Sequence, residues 1–263
     1  MLKKRLIPCL FLKNGFLVRS QGFNEHQLLG NAIHQVERFN AWEVDELIYI
    51  DITRDDHYDI RRDDMKVKSE SDILKILEAV SKTCFMPLTF GGRIRTLQDI
   101  YDRISRGADK VTINTQALAD PTFITESSMV FGSQAIVVSI DVKLNANGEY
   151  EVYSHHGQQP TGLHPVAWAK QAEQYGAGEI FLNSIDRDGM ANGYDTALIR
   201  QVAEAVSIPV IACGGVGQFK HLAQGINDGL ADAVAAGNIF HFTELSGKRA
   251  RKELLKAGIH VRN

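Results

Sequence analysis

Short apolar runs rich in Ile and Val alternate along the chain with longer stretches in which apolar residues recur at helical spacing. Such alternation is typical of βα units that build a parallel sheet. Eight strands are predicted, at Arg5–Phe11, Leu47–Ile52, Met86–Phe90, Lys110–Asn114, Ala135–Asp141, Glu179–Asn183, Pro209–Cys213 and Ala231–Ala236. The helices predicted between them include Glu25–Phe39, Ser71–Ser81, Thr96–Arg106, Pro165–Tyr175, Thr196–Val206 and Gln218–Asp228.

Eight strands, each followed by a helix, are the number that closes a (β/α)8 barrel, or TIM barrel. An open doubly wound sheet is the alternative, but it rarely uses eight consecutive units, and no strand here leads into a dinucleotide-binding glycine motif. A barrel of this class usually takes about 250 residues as one domain. The sequence therefore predicts an α/β protein in which residues 1–263 form a single barrel domain.

The two halves of the chain resemble each other, which predicts a two-fold half-barrel repeat of four βα units each. Four pairs of segments match: Asp45–Leu47 with Gly178–Ile180, Pro87–Gly92 with Pro209–Gly214, Gly107–Asp109 with Leu230–Asp232, and Leu10–Lys13 with Ile140–Lys143.

Composition narrows the classes of function. A hydrophobic fraction of 44% is ordinary for a folded globular protein, and a net charge of −3 offers no basic face for nucleic acid or an anionic membrane. The three cysteines are too few and too scattered for a disulfide framework or a zinc site. The first apolar run is too short for a signal sequence or a membrane span. We therefore expect a cytoplasmic protein with reduced thiols.

Two glycine-rich loops follow strands at symmetric positions, Gly91-Gly92-Arg93 in the first half and Gly214–Gly217 in the second. Each is paired with the end of the next strand, at Asn114-Thr115 and at Gly237-Asn238. One double glycine is ordinary turn chemistry, but two at equivalent positions predict two phosphate cradles. Arg93 stands where symmetry predicts a glycine like Gly215, and it could either strengthen an anion site or obstruct it.

Several acids lie at predicted strand ends, where the chemistry of a barrel is located. Asp141 ends the apolar fifth strand and is the candidate for proton transfer. Asp51 follows the second strand, and Asp186 and Asp188 follow the sixth. Asp186 is interpreted as a helix cap or a partner of Arg187.

The chain resembles the HisF-type cyclase subunit of imidazole glycerol phosphate synthase over nearly its whole length. The resemblance is carried by Lys3–Gly15, Asp45–Thr53, Arg106–Thr115, Phe131–Lys143, Gly176–Asp188 and Ile208–Gly217, most distinctively by Ser184–Gly189 followed by Gly193–Thr196, and by Phe240–Phe242. It implies that the enzyme takes ammonia from a HisH-type glutaminase and uses it to cleave and cyclise a bis-phosphorylated aminoimidazole ribonucleotide, with no cofactor. The products would be imidazole glycerol phosphate and an aminoimidazole carboxamide ribotide. The predicted phosphate-binding positions are Gly92, Arg93, Asn114, Thr115, Asp188, Gly189, Gly214, Gly215, Gly237 and Asn238.

One catalytic position departs from this family. The resemblance implies a general acid and a general base at the ends of strands one and five, and Asp141 matches the second of them. The first is Phe11, whose phenyl ring can neither accept nor donate a proton. Losing one such group typically lowers the rate by about 10²–10⁴. Asn14 and Arg19 also differ from the family pattern.

Four charged residues lie near the amino-terminal ends of strands: Arg5, Glu46, Lys110 and Glu179. Two positive and two negative charges there could form a ring of salt bridges that simply ties the strands together. The resemblance implies instead that the same four residues form the gate through which ammonia enters the barrel. It also places Asp109 at the glutaminase interface.

Three hypotheses follow. The first is a HisF-type paralogue that still receives ammonia from a glutaminase but serves another acceptor, as family members in surface-polysaccharide (lipopolysaccharide) pathways do when a separate amidotransferase builds an amidino sugar. The second is a cyclase of histidine biosynthesis in which another acid, first of all Asp51, replaces the missing one. The third is a catalytically silent scaffold subunit. The sequence favours the first.

Two further features carry no assigned function. The charged segment Thr53–Lys68 follows the second strand and is interpreted as a solvated loop rather than a lid, and its charged residues are Arg54, Asp55, Asp56, His57, Arg61, Arg62, Asp63 and Asp64. His155 and His156 belong to a predicted hairpin after strand five. Adjacent histidines lack the spacing of a helical metal pair, so no metal site is predicted.

Overall fold

A computed structural model describes residues 3–42, 44–55, 57–59, 70 and 72–261. In chain order its strands are β1 (Arg5–Lys13), β2 (Phe16–Gln21), β3 (Glu25–Asn31), β4 (Leu47–Asp51), β5 (Leu88–Gly91), β6 (Lys110–Ile113), β7 (Ile136–Leu144), β8 (Tyr150–Ser154), β9 (Gln159–Pro160), β10 (Glu179–Ser184), β11 (Val210–Cys213) and β12 (Ala233–Ala236). The helices are α1 (His34–Ala41), α2 (Ile73–Ser81), α3 (Leu97–Ile104), α4 (Thr115–Ala119), α5 (Thr122–Phe131), α6 (Pro165–Gln174), α7 (Thr196–Ala203), α8 (Phe219–Asn227), α9 (Asn238–Phe242) and α10 (Ser246–Lys256).

Eight of these strands form a closed parallel barrel in the order β1-β4-β5-β6-β7-β10-β11-β12. The barrel closes because β12 pairs in parallel with β1, with Arg5 opposite Ala233. The predicted strands match these eight with small shifts at their ends, and the predicted (β/α)8 fold class is confirmed.

One predicted helix is wrong over its first half. Residues Glu25–Asn31, assigned to a helix beginning at Glu25, form strand β3, and the helix α1 begins only at His34. The backbone of this segment pairs antiparallel with β2, from Gln21 opposite Glu25 to Phe16 opposite Asn31. Pairing with a strand earlier in the chain therefore overrides the helical spacing of the apolar residues in this window.

The half-barrel repeat is visible in the hairpins above the barrel. Strands β1 and β7, the first and fifth of the barrel, are nine residues long and extend beyond it. Each then folds back into antiparallel strands, β2 and β3 in the first half and β8 and β9 in the second. We call residues 16–31 the first hairpin and residues 150–160 the second hairpin. The hairpin predicted after strand five is therefore present.

The repeat also extends to single contacts at the barrel floor. The carboxylate of Asp109 accepts a hydrogen bond of 2.8 Å from the backbone N–H of Leu88, and that of Asp232 accepts one of 3.2 Å from Val210. These two acids were matched between the halves by sequence. Each carboxylate satisfies the first backbone donor of a neighbouring strand, so the two halves fix their strand starts in the same way.

The core has two layers. One lies between the strands and the surrounding helices, and its largest fully buried side chains include Trp168, Tyr49 and Phe240. The other fills the inside of the barrel with mostly small and branched side chains and two phenyl rings. Its members are Ile7, Cys9, Phe11, Val18, Ile48, Val137, Phe181, Ile211, Cys213, Ala233 and Ala235. Among the described residues, no helix is both long and apolar enough to cross a membrane.

Candidate active site

A cavity of about 480 Å³ opens at the carboxyl ends of the barrel strands. It lies mainly over the first half of the barrel and extends to β7 and β10. The predicted site residues on its wall are Phe11, Gly92, Arg93, Asn114, Thr115 and Asp141. The strand ends therefore bring one predicted phosphate cradle and the candidate acid into a single space.

Asp141 is a buried carboxyl group at the bottom of this cavity, 8% exposed. Its Oδ2 accepts a 3.2 Å hydrogen bond from Asn114 Nδ2, and Ser139 Oγ lies 3.3 Å from Oδ1. Burial raises the pKa of Asp141 to about 7, although the hydrogen bond with Ser139 lowers it somewhat, and the nearby Asp188 adds a smaller rise. A carboxyl group that titrates near neutrality can both accept and donate a proton at physiological pH.

Phe11 occupies the position in β1 that corresponds to Asp141 in β7. Its neighbour on β4 is Ile50, whereas the neighbour of Asp141 on β10 is Asn183. A Cβ built on Gly237 would lie 3.7 Å from Cε2 of Phe11, which places the ring close to the end of β12. One wall of the mouth is therefore polar and able to exchange protons, and the symmetric wall is apolar.

The backbone of the first-half glycine loop explains why glycine stands at residue 92. Gly92 has φ of 90°, and a Cβ there would lie 2.1 Å from the carbonyl oxygen of Asp51, so no other residue fits. Arg93 also has a left-handed backbone, with φ of 57°, as Gly215 does with φ of 102°. The guanidinium of Arg93 lies 3.9 Å from Asp51 Oδ2 and over the ring of Tyr58. Arg93 thus adds a positive charge to the cavity wall.

The strand-end part of this cradle, Asn114 and Thr115, contacts the second hairpin. Asn114 Nδ2 lies 3.3 Å from the carbonyl oxygen of Tyr153 as well as close to Asp141. Thr115 Oγ1 accepts a 3.1 Å hydrogen bond from the backbone N–H of His155. The tip of the second hairpin therefore lies directly over Asn114 and Thr115.

The predicted phosphate-binding residues of the second half lie apart from this cavity. None of these six described residues is on its wall: Asp188, Gly189, Gly214, Gly215, Gly237 and Asn238. Two of them contact the first hairpin, because Asp188 Oδ2 accepts a 2.7 Å hydrogen bond from Ser20 Oγ and Asn238 Nδ2 donates to the Ser20 carbonyl oxygen at 3.1 Å. The second predicted cradle therefore packs against the first hairpin and does not line this cavity.

The four charged residues at the floor meet in a closed ring of alternating charge. Arg5 Nη1 lies 2.9 Å from Glu46 Oε1 and 2.9 Å from Glu179 Oε1. Lys110 Nζ lies 3.3 Å from Glu46 Oε2 and 3.0 Å from Glu179 Oε1. Burial alone would lower the pKa of Arg5, but the two carboxylates outweigh it and the pKa is raised. We call these four residues the floor ring.

Sequence reasoning missed several residues of the mouth. Ser20, Phe23 and His26 line the cavity from the first hairpin. They fall in or beside the segment misassigned as a helix, and a hairpin prediction there would have placed them above the strand ends. Tyr58 donates a 2.8 Å hydrogen bond to Asp51 Oδ2 from the loop after β4, and no sequence signal marked it.

The structure contains no candidate metal centre among the residues it describes, since no group of three or more His, Cys, Asp and Glu side chains converges there. Cys9, Cys84 and Cys213 are free. Of the charged loop after β4, Arg54, Asp55 and His57 are described, whereas Asp56, Arg61, Arg62, Asp63 and Asp64 lie outside the described residues.

A family model described as histidine biosynthesis protein matches residues 5–246, which is nearly the whole chain. The chain belongs to this family. Members of the histidine biosynthesis family are barrel enzymes of the histidine pathway, an isomerase and a cyclase. The family match and the closed barrel together fit the resemblance to HisF-type cyclases.

Proposed function

We propose that this chain is the ammonia-receiving barrel subunit of a glutamine amidotransferase complex, a HisF-type paralogue that serves an acceptor other than that of the ordinary cyclase. A HisH-type glutaminase would bind at the floor and supply the ammonia. The observation that carries the proposal is the contrast between the two ends of the barrel. The floor ring is complete, whereas at the mouth only Asp141 remains of the two catalytic acids that the cyclase reaction needs, because residue 11 is Phe.

In this proposal ammonia crosses the inside of the barrel as a neutral molecule, from the floor to the mouth. The interior between them is filled by apolar side chains, among them Ile7, Ile48 and Ala235. Desolvation among such side chains costs neutral ammonia much less free energy than it costs the charged ammonium ion. The ring would therefore control entry, and the apolar interior would keep the molecule uncharged.

The environment of Asp51 argues against its replacing the missing acid. Its Oδ1 accepts a 2.9 Å hydrogen bond from the backbone N–H of Thr53, and its Oδ2 accepts the Tyr58 hydroxyl at 2.8 Å. Arg93 lies 3.9 Å away. Both oxygens are thus engaged in holding the loop after β4, and neither is left to exchange a proton with a ligand.

The acceptor would be a phosphate-bearing molecule that reaches the mouth, or an intermediate on a separate amidotransferase. A pathway that builds an amidino sugar for a surface polysaccharide fits best, because it needs ammonia and does not need the imidazole ring closure. Retention of Asp141 with a pKa of about 7 favours a chemical role at the mouth over a silent scaffold.

Restoring the missing acid tests the proposal. With ammonium salt and the bis-phosphorylated aminoimidazole ribonucleotide, the unmodified chain is expected to form imidazole glycerol phosphate at a rate about 10²–10⁴ below that of a Phe11→Asp variant. A carboxylate at residue 11 would face Asp141 across the mouth and complete the acid–base pair. Steady-state product formation measures the difference, and Phe11→Leu, which keeps the position apolar, should gain nothing.

This assay, run also with a HisH-type glutaminase and glutamine in place of the ammonium salt, separates the three hypotheses. Fast turnover by the unmodified chain, unchanged in Phe11→Asp, would contradict the paralogue and support a histidine-pathway cyclase. Activation of a HisH-type glutaminase without delivery of ammonia to any acceptor would support the scaffold. Glutaminase activation with ammonia release at the mouth, and no cyclisation, is the result that the proposal expects.

A further inference from the structure

The tip of the second hairpin has an unusual backbone. His155, His156 and Gly157 are three successive residues with left-handed φ, at 51°, 59° and 74°. Such a conformation is unfavourable for side chains other than glycine, by about 1–2 kcal/mol per residue, and strain of this kind gathers at functional sites. Both histidines line the cavity. The turn, which we call the histidine turn, therefore holds two imidazoles at the mouth at an energetic cost.

Two further cationic or titratable groups converge on the same place. His26 reaches the cavity from the first hairpin, and Arg54 reaches it from the loop after β4. Both terminal nitrogens of Arg54 lie 2.7 and 2.8 Å from the side-chain oxygen of Gln158, in the amide orientation that satisfies both groups. Gln158 follows the histidine turn directly, so it holds the guanidinium beside the imidazoles. We call His26, Arg54 and His156 the basic rim.

Positive charge outweighs negative charge around the two imidazoles of the basic rim. Burial lowers the pKa of His26 to about 4, with further lowering from Lys13, Arg54 and His156. Burial and Arg54 also lower the pKa of His156, although Asp51 partly opposes this and His155 adds to it. Nδ1 of His26 is buried without a hydrogen-bond partner in the described part of the chain. Burial and the neighbouring cations disfavour protonation of both imidazoles, and an anion placed between them would offset that repulsion.

The rim also spans the two hairpins where they meet. A Cβ built on Gly157 would lie 3.0 Å from the Phe23 ring of the first hairpin, so the hairpin tips touch above the cavity. His156 belongs to one hairpin and His26 to the other. An anion bound by both would bridge the hairpins over Asn114 and Thr115, which the backbone of His155 already contacts.

We propose that the basic rim is an anion-binding subsite above the first glycine cradle, formed by other residues than that cradle, that takes a phosphate monoester dianion of the ligand and holds the two hairpins together over it. Arg54 supplies the permanent charge, and the two imidazoles become protonated as the dianion binds. The subsite therefore binds a phosphate group and a proton together. This proposal rests on the proposed function only in taking a phosphate-bearing ligand at the same mouth, and anion binding by the subsite does not depend on ammonia transfer.

Isothermal titration with sulfate tests this subsite on the whole chain, because sulfate is a tetrahedral dianion at both pH 5.5 and pH 8. Sulfate is expected to bind at least tenfold more tightly at pH 5.5, with proton uptake that appears as a dependence of the binding heat on the buffer. The double variant His26→Gln/His156→Asn should lose about tenfold in affinity at pH 5.5, the fold-change of one charge-assisted hydrogen bond. Its affinity should depend less on pH than that of the unmodified chain, and the dependence that remains belongs to Asp141 in the same cavity. Asparagine suits the left-handed backbone at residue 156.

His260→Gln, an exposed histidine far along the chain from the rim, is the matched control and should bind sulfate as the unmodified chain does. Binding that is independent of pH and unchanged in the double variant would overturn the proposal. So would binding that is lost in Asn238→Ala but kept in the double variant, since that pattern locates the anion at the second cradle. The titration contains no glutaminase and no ribonucleotide, so its failure leaves the proposed function to its own test.

Discussion

Replacing Glu46 by glutamine is expected to lower the free energy of unfolding by about 3–5 kcal/mol, because it removes one charge from a buried ring. The side chain of Glu46 is 4% exposed and contacts both Arg5 and Lys110. Without the charge of Glu46, Arg5 and Lys110 share Glu179 alone, and one positive charge at the barrel floor is no longer balanced by a negative charge. Denaturant unfolding at constant pH and salt measures the loss as a shift of the midpoint.

The matched control is Glu78→Gln on helix α2. Glu78 forms a salt bridge of 2.9 Å with Lys82, but more than half of each side chain is exposed. Solvent screens pairs of this kind, so the control should change stability little. Similar small losses in both variants would show that the floor ring is no more than a set of solvated surface pairs.

Replacing Asp141 by asparagine is expected to raise the free energy of unfolding by about 2–4 kcal/mol at pH 8. Folding raises the pKa of this carboxyl group from 3.8 to about 7, because burial disfavours its charged form. The stability linked to its proton is fully present below about pH 4 and is lost as the pH rises through 7. Asparagine is neutral throughout, so its advantage should grow between pH 4 and pH 7.

The same substitution should abolish proton transfer at the mouth. Product formation with the natural acceptor, or with ammonium and ribonucleotide in the Phe11→Asp background, is expected to fall by about 10²–10⁴. Unfolding curves from pH 4 to pH 8 give the stability difference, with exposed Asp228→Asn as the control that should show no such pH trend. A stability difference that does not vary with pH would mean that Asp141 titrates as an ordinary surface acid.

The barrel could be predicted from the sequence because its strands are buried on both faces and their apolar runs are continuous. The strand ends were therefore located well enough to identify Asp141 as the acid at the mouth and Phe11 as its counterpart. The four residues of the floor ring were identified in the same way, since their positions follow from strand starts. In each case the position of the side chain in the barrel followed from where a continuous apolar run begins or ends.

The first hairpin could not be predicted in the same way. The apolar residues Leu28, Leu29 and Val36 fit a helical spacing, and only pairing with β2 makes residues 25–31 a strand. The contacts of the second cradle with the first hairpin could not be predicted either. They depend on hydrogen bonds between Ser20 and Asp188 or Asn238, groups that lie far apart in the chain.

Each hairpin contacts the opposite half of the barrel. Ser20 of the first hairpin accepts the Asn238 amide from the second half, and His155 of the second hairpin donates to Thr115 of the first half. A half-barrel expressed alone would consequently keep its strands but lose the segment that covers its own loops. Two half-barrels expressed from separate gene fragments should therefore regain activity only when they associate, because each supplies the hairpin that covers the loops of the other.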